Sequence, residues 1–193
     1  ALDQACLALC EGQFLDMTFE SRLDVDLDQY LQMVRRKTAA LLAASAQVGA
    51  IVGTDDREQQ SSLYAFGDRL GMAFQIQDDI LGIWGDEART GKPAAIDLRD
   101  KKKTLPVVYA LIQEDNPGAA QEIRALFRRD IPLGARAIRH VLQILDRVQA
   151  REFSQALEED YYRQALQKLD EAGSATAKAQ LAELAASLLQ RST

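Results

Sequence analysis

Leucine, isoleucine, valine and alanine recur three and four residues apart along almost the whole chain, and no sustained alternating stretch rich in β-branched residues interrupts them. That period gives an α-helix one buried face and leaves a pleated strand none, so the expected fold class is all-α. The periodicity predicts helices over residues 1–20, 29–49, 59–83, 105–113, 119–129, 133–149, 154–170 and 174–190, with Asp28 and Thr104 as candidate caps and Pro106 in a first turn. Residues 85–103 break the pattern, with Gly85, Gly91, Pro93 and ten charged side chains, and read as a long surface loop. A loop with so little apolar side chain is expected to be mobile until a ligand orders it. The 193 residues suit one substantial core, not two. The sequence opens without Met and already in helical period, as expected of a chain cut from a larger fold.

The bulk properties narrow the partners. Net charge is -6 with acids and bases interspersed, which leaves no positive surface for a nucleic-acid backbone. Cys6 and Cys10 lie four apart in an apolar stretch, where a helix sets them on one face as small hydrophobes, so a reducing compartment is expected and a structural disulfide is not. No apolar run reaches membrane-span length, and the first residues lack the features of a signal peptide. A soluble, cytoplasmic protein is the expectation.

Chemistry concentrates on the predicted long helix. On a wheel centred on Gln75, the apolar residues of 63–84 fill an arc from about 80° to 260°, while Asp68, Gly71, Gln75, Asp78, Asp79 and Gly82 lie within about 60° of the origin. Asp86 continues that line. A solvated face normally carries long Lys, Arg and Glu, and two glycines in a helix cost roughly 1 kcal/mol each relative to alanine. A small, anionic face on a helix buried over most of its circumference therefore fits a cleft, and paired carboxylates in a cleft suit a hard cation such as magnesium that also takes diphosphate oxygens. Zinc fits poorly, because His140 is far along the chain and reads as a structural or surface residue. Lys92, and the run Lys101 to Lys103 just before a helix start, supply opposite charge; the lysine run opposes the helix dipole unless an anion or a carboxylate such as Asp97 or Asp100 offsets it.

The stretch Gly71 to Asp86 (GMAFQIQDDILGIWGD), followed by Thr90 to Leu98 (TGKPAAIDL) and Lys102 to Pro106 (KKTLP), resembles the second aspartate-rich motif and lysine loop of the trans-isoprenyl (polyprenyl) diphosphate synthases. Gly12-Gln13 with Asp16, and Tyr30 to Thr38 (YLQMVRRKT), resemble the helices before it. The resemblance implies an isoprenoid-synthase-type helical bundle in which residues 1–193 form the C-terminal part of one domain, apparently without its N-terminal helices. It implies magnesium-dependent condensation of an allylic diphosphate with isopentenyl diphosphate to a longer trans-prenyl diphosphate. By position, Lys37 would clamp phosphate oxygens beside Thr38, Gln75 would sit at the reaction centre, and Asp78 would ligate Mg2+ with Asp79 in support. Lys92 and Lys102 would neutralise the departing diphosphate. The family's common motif has a further Asp at the position of Gly82, for which Asp86 is the expected replacement. The first aspartate-rich motif is not in the sequence, so a missing N-terminal segment or complementary subunit, and a homodimer, are the implied partners. Rival readings are a class I terpene cyclase, against which stand the absent Asn-Ser-Glu type motif and the retained Lys92 and Lys102, and a non-catalytic or regulatory subunit of a prenyl diphosphate synthase.

Overall fold

The helix that carries the carboxylate pair is the axis of the fold. A computed structural model describes residues 1–86, 95–113, 115–128, 131–172 and 175–189, and all regular structure among these is helical. In order the elements are α1 (Leu2–Glu20), α2 (Leu27–Val34), a π-helical turn (Arg35–Ala39), α3 (Ala40–Gly53), α4 (Arg57–Trp84), α5 (Ile96–Arg99), α6 (Leu105–Leu111), α7 (Pro117–Phe127), α8 (Ala135–Arg147), α9 (Ala150–Asp170) and α10 (Ala175–Leu189). The Asp56 side chain starts α4 by accepting from the Glu58 and Gln59 N–H groups at 2.9 and 3.3 Å. The apolar arc of α4 is then buried mainly between α3 and α9.

Three apolar clusters follow from this arrangement. Phe66 and Leu70 meet Ala165, Leu169 and Ala185 at one end of α4. Met72, Ile76 and Ile80 meet Tyr30, Met33, Val34 and Leu105 in the middle. Ile83 joins Leu98, Val107, Ile123, Val141 and Leu145 at the other end. The middle cluster lies behind the polar face and fixes it in place.

The structure departs from the sequence reading in three places. The single helix expected over 29–49 begins two residues earlier, where Asp26 and not Asp28 makes a capping box with Gln29, and it contains the π turn before running on to Gly53. The described end of the expected loop is packed: α5 sits between left-handed residues Ala95 (φ 54°) and Lys101 (φ 55°), and Asp97, Leu98 and Lys103 are buried. Residues 87–94, including Lys92, lie outside the described residues. Finally, Cys6 and Cys10 are exposed free thiols on an α1 stripe that also exposes Leu2, Leu7, Phe14 and Met17, not residues packed as small hydrophobes. His140 is a surface residue, with Nε2 2.8 Å from a Glu122 carboxylate oxygen. No described helix is long and apolar enough to cross a membrane.

Glu158 on α9 offers a test of this packing. Burial, and secondarily Glu159 beside it, push its carboxyl up to about 7 from an ordinary 4.5. Because the folded value lies above the unfolded one, the stabilising contribution is full below about pH 4.5 and lost as pH rises through about 7. Glu158→Gln should therefore stabilise the protein by about 1 kcal/mol at pH 8, a figure reduced for partial solvent screening, and by nothing measurable near pH 4. Urea denaturation at the two pH values measures the difference.

Candidate active site

A cavity of about 260 Å³ opens over the polar face of α4, lined by side chains from α1, α2, the π turn and the segment between α5 and α6. Asp16, Lys37, Gln75, Asp78, Asp79, Asp97 and Lys102 all line it. A larger open groove of about 960 Å³ along α8 presents Arg136, Arg139 and His140 but no carboxylate. Convergent opposite charges make the smaller cavity the chemical site.

The π turn brings Lys37 there and sets Thr38 against Gln75. Its wider winding is closed by the Ala40 N–H donating to the Arg35 carbonyl, five residues back instead of four. The turn lies close against two neighbours through glycines: a Cβ at Gly12 of α1 would fall 2.3 Å from the Lys37 nitrogen, and one at Gly71 of α4 would fall 2.5 Å from the Ala39 Cα. Lys37 Nζ reaches Asp16 Oδ2 at 2.5 Å, and the Thr38 hydroxyl donates to Gln75 Oε1 at 2.7 Å. Gly71, one of the two glycines on the polar face of α4, thus makes room for the π turn.

The two adjacent aspartates have different surroundings. Asp78 is exposed and faces the cavity. Asp79 is buried, and its oxygens are used inside the protein: Oδ1 accepts from Gln75 Nε2 at 3.0 Å, while Oδ2 accepts from the Tyr30 hydroxyl at 2.6 Å and the Leu105 N–H at 2.8 Å. Burial raises its pKa to about 6, against the downward pull of those three hydrogen bonds. Burial also lifts the Tyr30 hydroxyl well above its ordinary value, reinforced by Asp79. Asp79 caps α6 from outside, in place of Thr104, whose buried hydroxyl has no hydrogen-bond partner. Thr38, Gln75, Asp79, Tyr30 and Leu105 form one hydrogen-bonded chain across the π turn, α4, α2 and α6. The sequence marks Tyr30 only as the first residue of the YLQMVRRKT stretch, with nothing to pair it with Asp79.

The position of Gly82 is filled, though not by Asp86. Asp86 lies past the end of α4, is exposed and is not among the residues lining the cavity. Asp97 of α5 takes the space instead: a Cβ at Gly82 would stand 1.9 Å from Asp97 Oδ2. Asp97 is 6% exposed and pairs through Oδ1 with Lys102 Nζ at 2.6 Å. Burial works against the Lys102 charge, but the Asp97 hydrogen bond and charge outweigh it and raise the pKa. Lys103 points elsewhere, donating to the Glu20 and Lys101 carbonyls over the Phe127 ring; burial, then Lys101, lower its pKa to about 8.

Among the described residues no three His, Cys, Asp or Glu side chains form a ready cage for a metal. The donor set nonetheless fits a hard cation: Asp16, Asp78 and Asp97 present carboxylate oxygens to one cavity, and magnesium usually takes one or two carboxylates with the rest from water and substrate phosphate.

Comparison with known proteins identifies the family. Residues 1–145 match the polyprenyl synthetase family. A short chain isoprenyl diphosphate synthase of Methanothermobacter thermautotrophicus is 38% identical over 187 residues, which cover 97% of this chain and 56% of that protein. A (2E,6E)-farnesyl diphosphate synthase of Mycobacterium tuberculosis is 48% identical over 118 residues, 61% of this chain and 33% of that one. The crystal structure of a geranylgeranyl pyrophosphate synthetase from Pyrococcus horikoshii superimposes with a TM-score of 0.87 at 32% identity, over 98% of this chain and 57% of that one. A geranylgeranyl pyrophosphate synthase from Corynebacterium glutamicum, solved with isoprenyl diphosphate and magnesium, gives 0.88 at 29%, over 98% and 54%. The chain thus spans little more than half the length of these overall matches. With the family model matched over residues 1–145 and a relative 38% identical over 97% of its length, the chain belongs to the polyprenyl synthetase family.

Proposed function

We propose that this chain supplies the second-aspartate wall of a trans-prenyltransferase, which joins an allylic diphosphate to isopentenyl diphosphate and releases diphosphate. The observation that carries the reading is the pairing inside the cavity, where Lys37 rests on Asp16 and Lys102 on Asp97, with Asp78 lining the same cavity. A magnesium diphosphate brings a cation for the carboxylates and an anion for the lysines. Both pairs can then exchange partners without leaving a bare charge in a partly dry site.

Asp78 and Asp97 are the residues that would hold magnesium, with Asp79 fixing the backbone beside them. Magnesium, when bound, supplies Lewis-acid neutralisation of the departing diphosphate. Lys37 and Lys102 hold its oxygens, and Lys92 joins them by family position. As the allylic carbon–oxygen bond breaks, the Thr38 and Gln75 oxygens lie beside the carbon that becomes positive. The isopentenyl double bond attacks that carbon, and the proton lost from the adduct passes to the released diphosphate. No side-chain nucleophile is required.

The wall opposite α4 comes, in this reading, from residues outside these 193 or from a complementary subunit in the cytoplasm. Additional helices and a second copy of the protein would cover the apolar side chains exposed on α1 and, on α3, Val48, Ile51 and Val52. The complete protein, given magnesium, labelled isopentenyl diphosphate and a set of allylic starters, should make longer labelled products and should stop when magnesium is chelated. Residues 1–193 purified without any companion should make none. Robust turnover by that verified single species would overturn the half-site reading.

A further inference from the structure

Lys37 lines the cavity and Thr38 is bonded to Gln75, which also lines it, but a π turn does not by itself fix where the two side chains point. Its extra residue can migrate along a helix, and moving it by one position rotates the intervening side chains by about 100°. Such a shift would carry Lys37 off Asp16 and Thr38 off Gln75. Gly12 and Gly71 set how near α1 and α4 approach the turn, and Gln75 holds it at Thr38. A second polar grip comes from α4 seven residues earlier, on the same face as Gln75. Asp68, only 8% exposed, uses one oxygen on Arg35 Nε at 3.2 Å and the other on Arg69 Nη1 at 2.5 Å. Arg35 is the first residue of the turn, and its carbonyl accepts the bond that closes it.

We infer that Asp68 is a positioning residue, which by holding Arg35 fixes the rotation at which the π turn delivers Lys37 and Thr38. The inference rests on the proposed function only for its kinetic consequence. Neither Asp68 nor Arg35 is among the residues lining the cavity. The remaining ion pair of the turn, Arg36 with Glu11 at 3.4 Å, joins side chains 40% and 48% exposed, whereas Arg35, itself 51% exposed, is paired with a largely buried carboxylate.

Arg35→Met keeps the aliphatic stem and removes the grip; Asp68→Asn removes it from the other side, and Asp68→Glu is the conservative control. In the complete protein, Arg35→Met and Asp68→Asn should each raise KM for the allylic diphosphate about tenfold, with KM for isopentenyl diphosphate within about twofold and Asp68→Glu close to wild type. The double variant should be no worse than either single one, because both remove the same contact. A readout independent of turnover is acetylation of Lys37, followed by mass spectrometry: freed from Asp16, it should react several-fold faster in both variants while Lys102 reacts at its original rate. If Lys37 labelling remains within twofold of wild type in folded Arg35→Met protein, the inference fails, whether or not the protein transfers prenyl groups. It fails equally if both KM values and the melting temperature shift together, which marks general loosening.

Discussion

Asp78→Ala in the complete protein is expected to lower prenyl-transfer turnover by at least about two orders of magnitude while shifting the melting temperature by no more than a few degrees. The asymmetry between activity and stability follows from where the residue sits. Its side chain is exposed toward the cavity, so removing it leaves no hole in the core. Losing one strong electrostatic partner of the departing diphosphate removes about 3 kcal/mol of transition-state stabilisation. The adjacent Asp79→Ala should behave differently, because it strips Tyr30, Gln75 and Leu105 of a shared acceptor and destabilises the fold together with activity. Steady-state kinetics with thermal denaturation on the two variants separate the roles. Magnesium-dependent turnover within threefold of wild type in Asp78→Ala would remove Asp78 from the site.

Gly12→Ala should destabilise the complete protein by about 1–3 kcal/mol and cut turnover about tenfold. Helix propensity alone gives the opposite sign, since alanine in mid-helix is favoured over glycine by roughly 1 kcal/mol. The contact overrides it because the added methyl would meet backbone that no side-chain rotation can clear: Lys37 N at 2.3 Å, Lys37 Cα at 2.6 Å and the Arg36 carbonyl carbon at 2.8 Å. To relieve the overlap α1 has to move away from the π turn, and the Asp16–Lys37 bridge spans the same two elements. A melting temperature equal to or above wild type would show that propensity prevails and that the two backbones are not held this closely.

Much of the site was legible because it lies on one regular helix. A period of 3.6 residues places Gln75, Asp78 and Asp79 on a single face, and the width of the apolar arc says that the face borders a cleft. The π turn was not legible, because one extra residue shifts the phase of a pattern without breaking it. Asp97 was legible as a partner for the lysine run, but its place against Gly82 was hidden for another reason. Its placement depends on left-handed backbone at Ala95 and Lys101, and neither carries the glycine that marks such a turn. Asp68 shares the face of Gln75 yet serves the π turn rather than the cavity, a distinction that only tertiary contact reveals. The same holds for Asp78 and Asp79, neighbours in sequence separated in function by burial.

The anchoring of Lys103 has a kinetic consequence for its neighbour. Lys103 is tied to the carbonyl that ends α1 and lies over Phe127, while the side chain of Lys102 is 58% exposed. The backbone is held at the residue immediately following the cationic one, and Asp79 holds the start of α6 two residues further on. On the proposed function, Lys102 would trade Asp97 for a phosphate oxygen by rotating its own side-chain bonds, with no need for a segment to swing over microseconds. On that reading, the cation on this side of the cavity would change partners without waiting on the backbone.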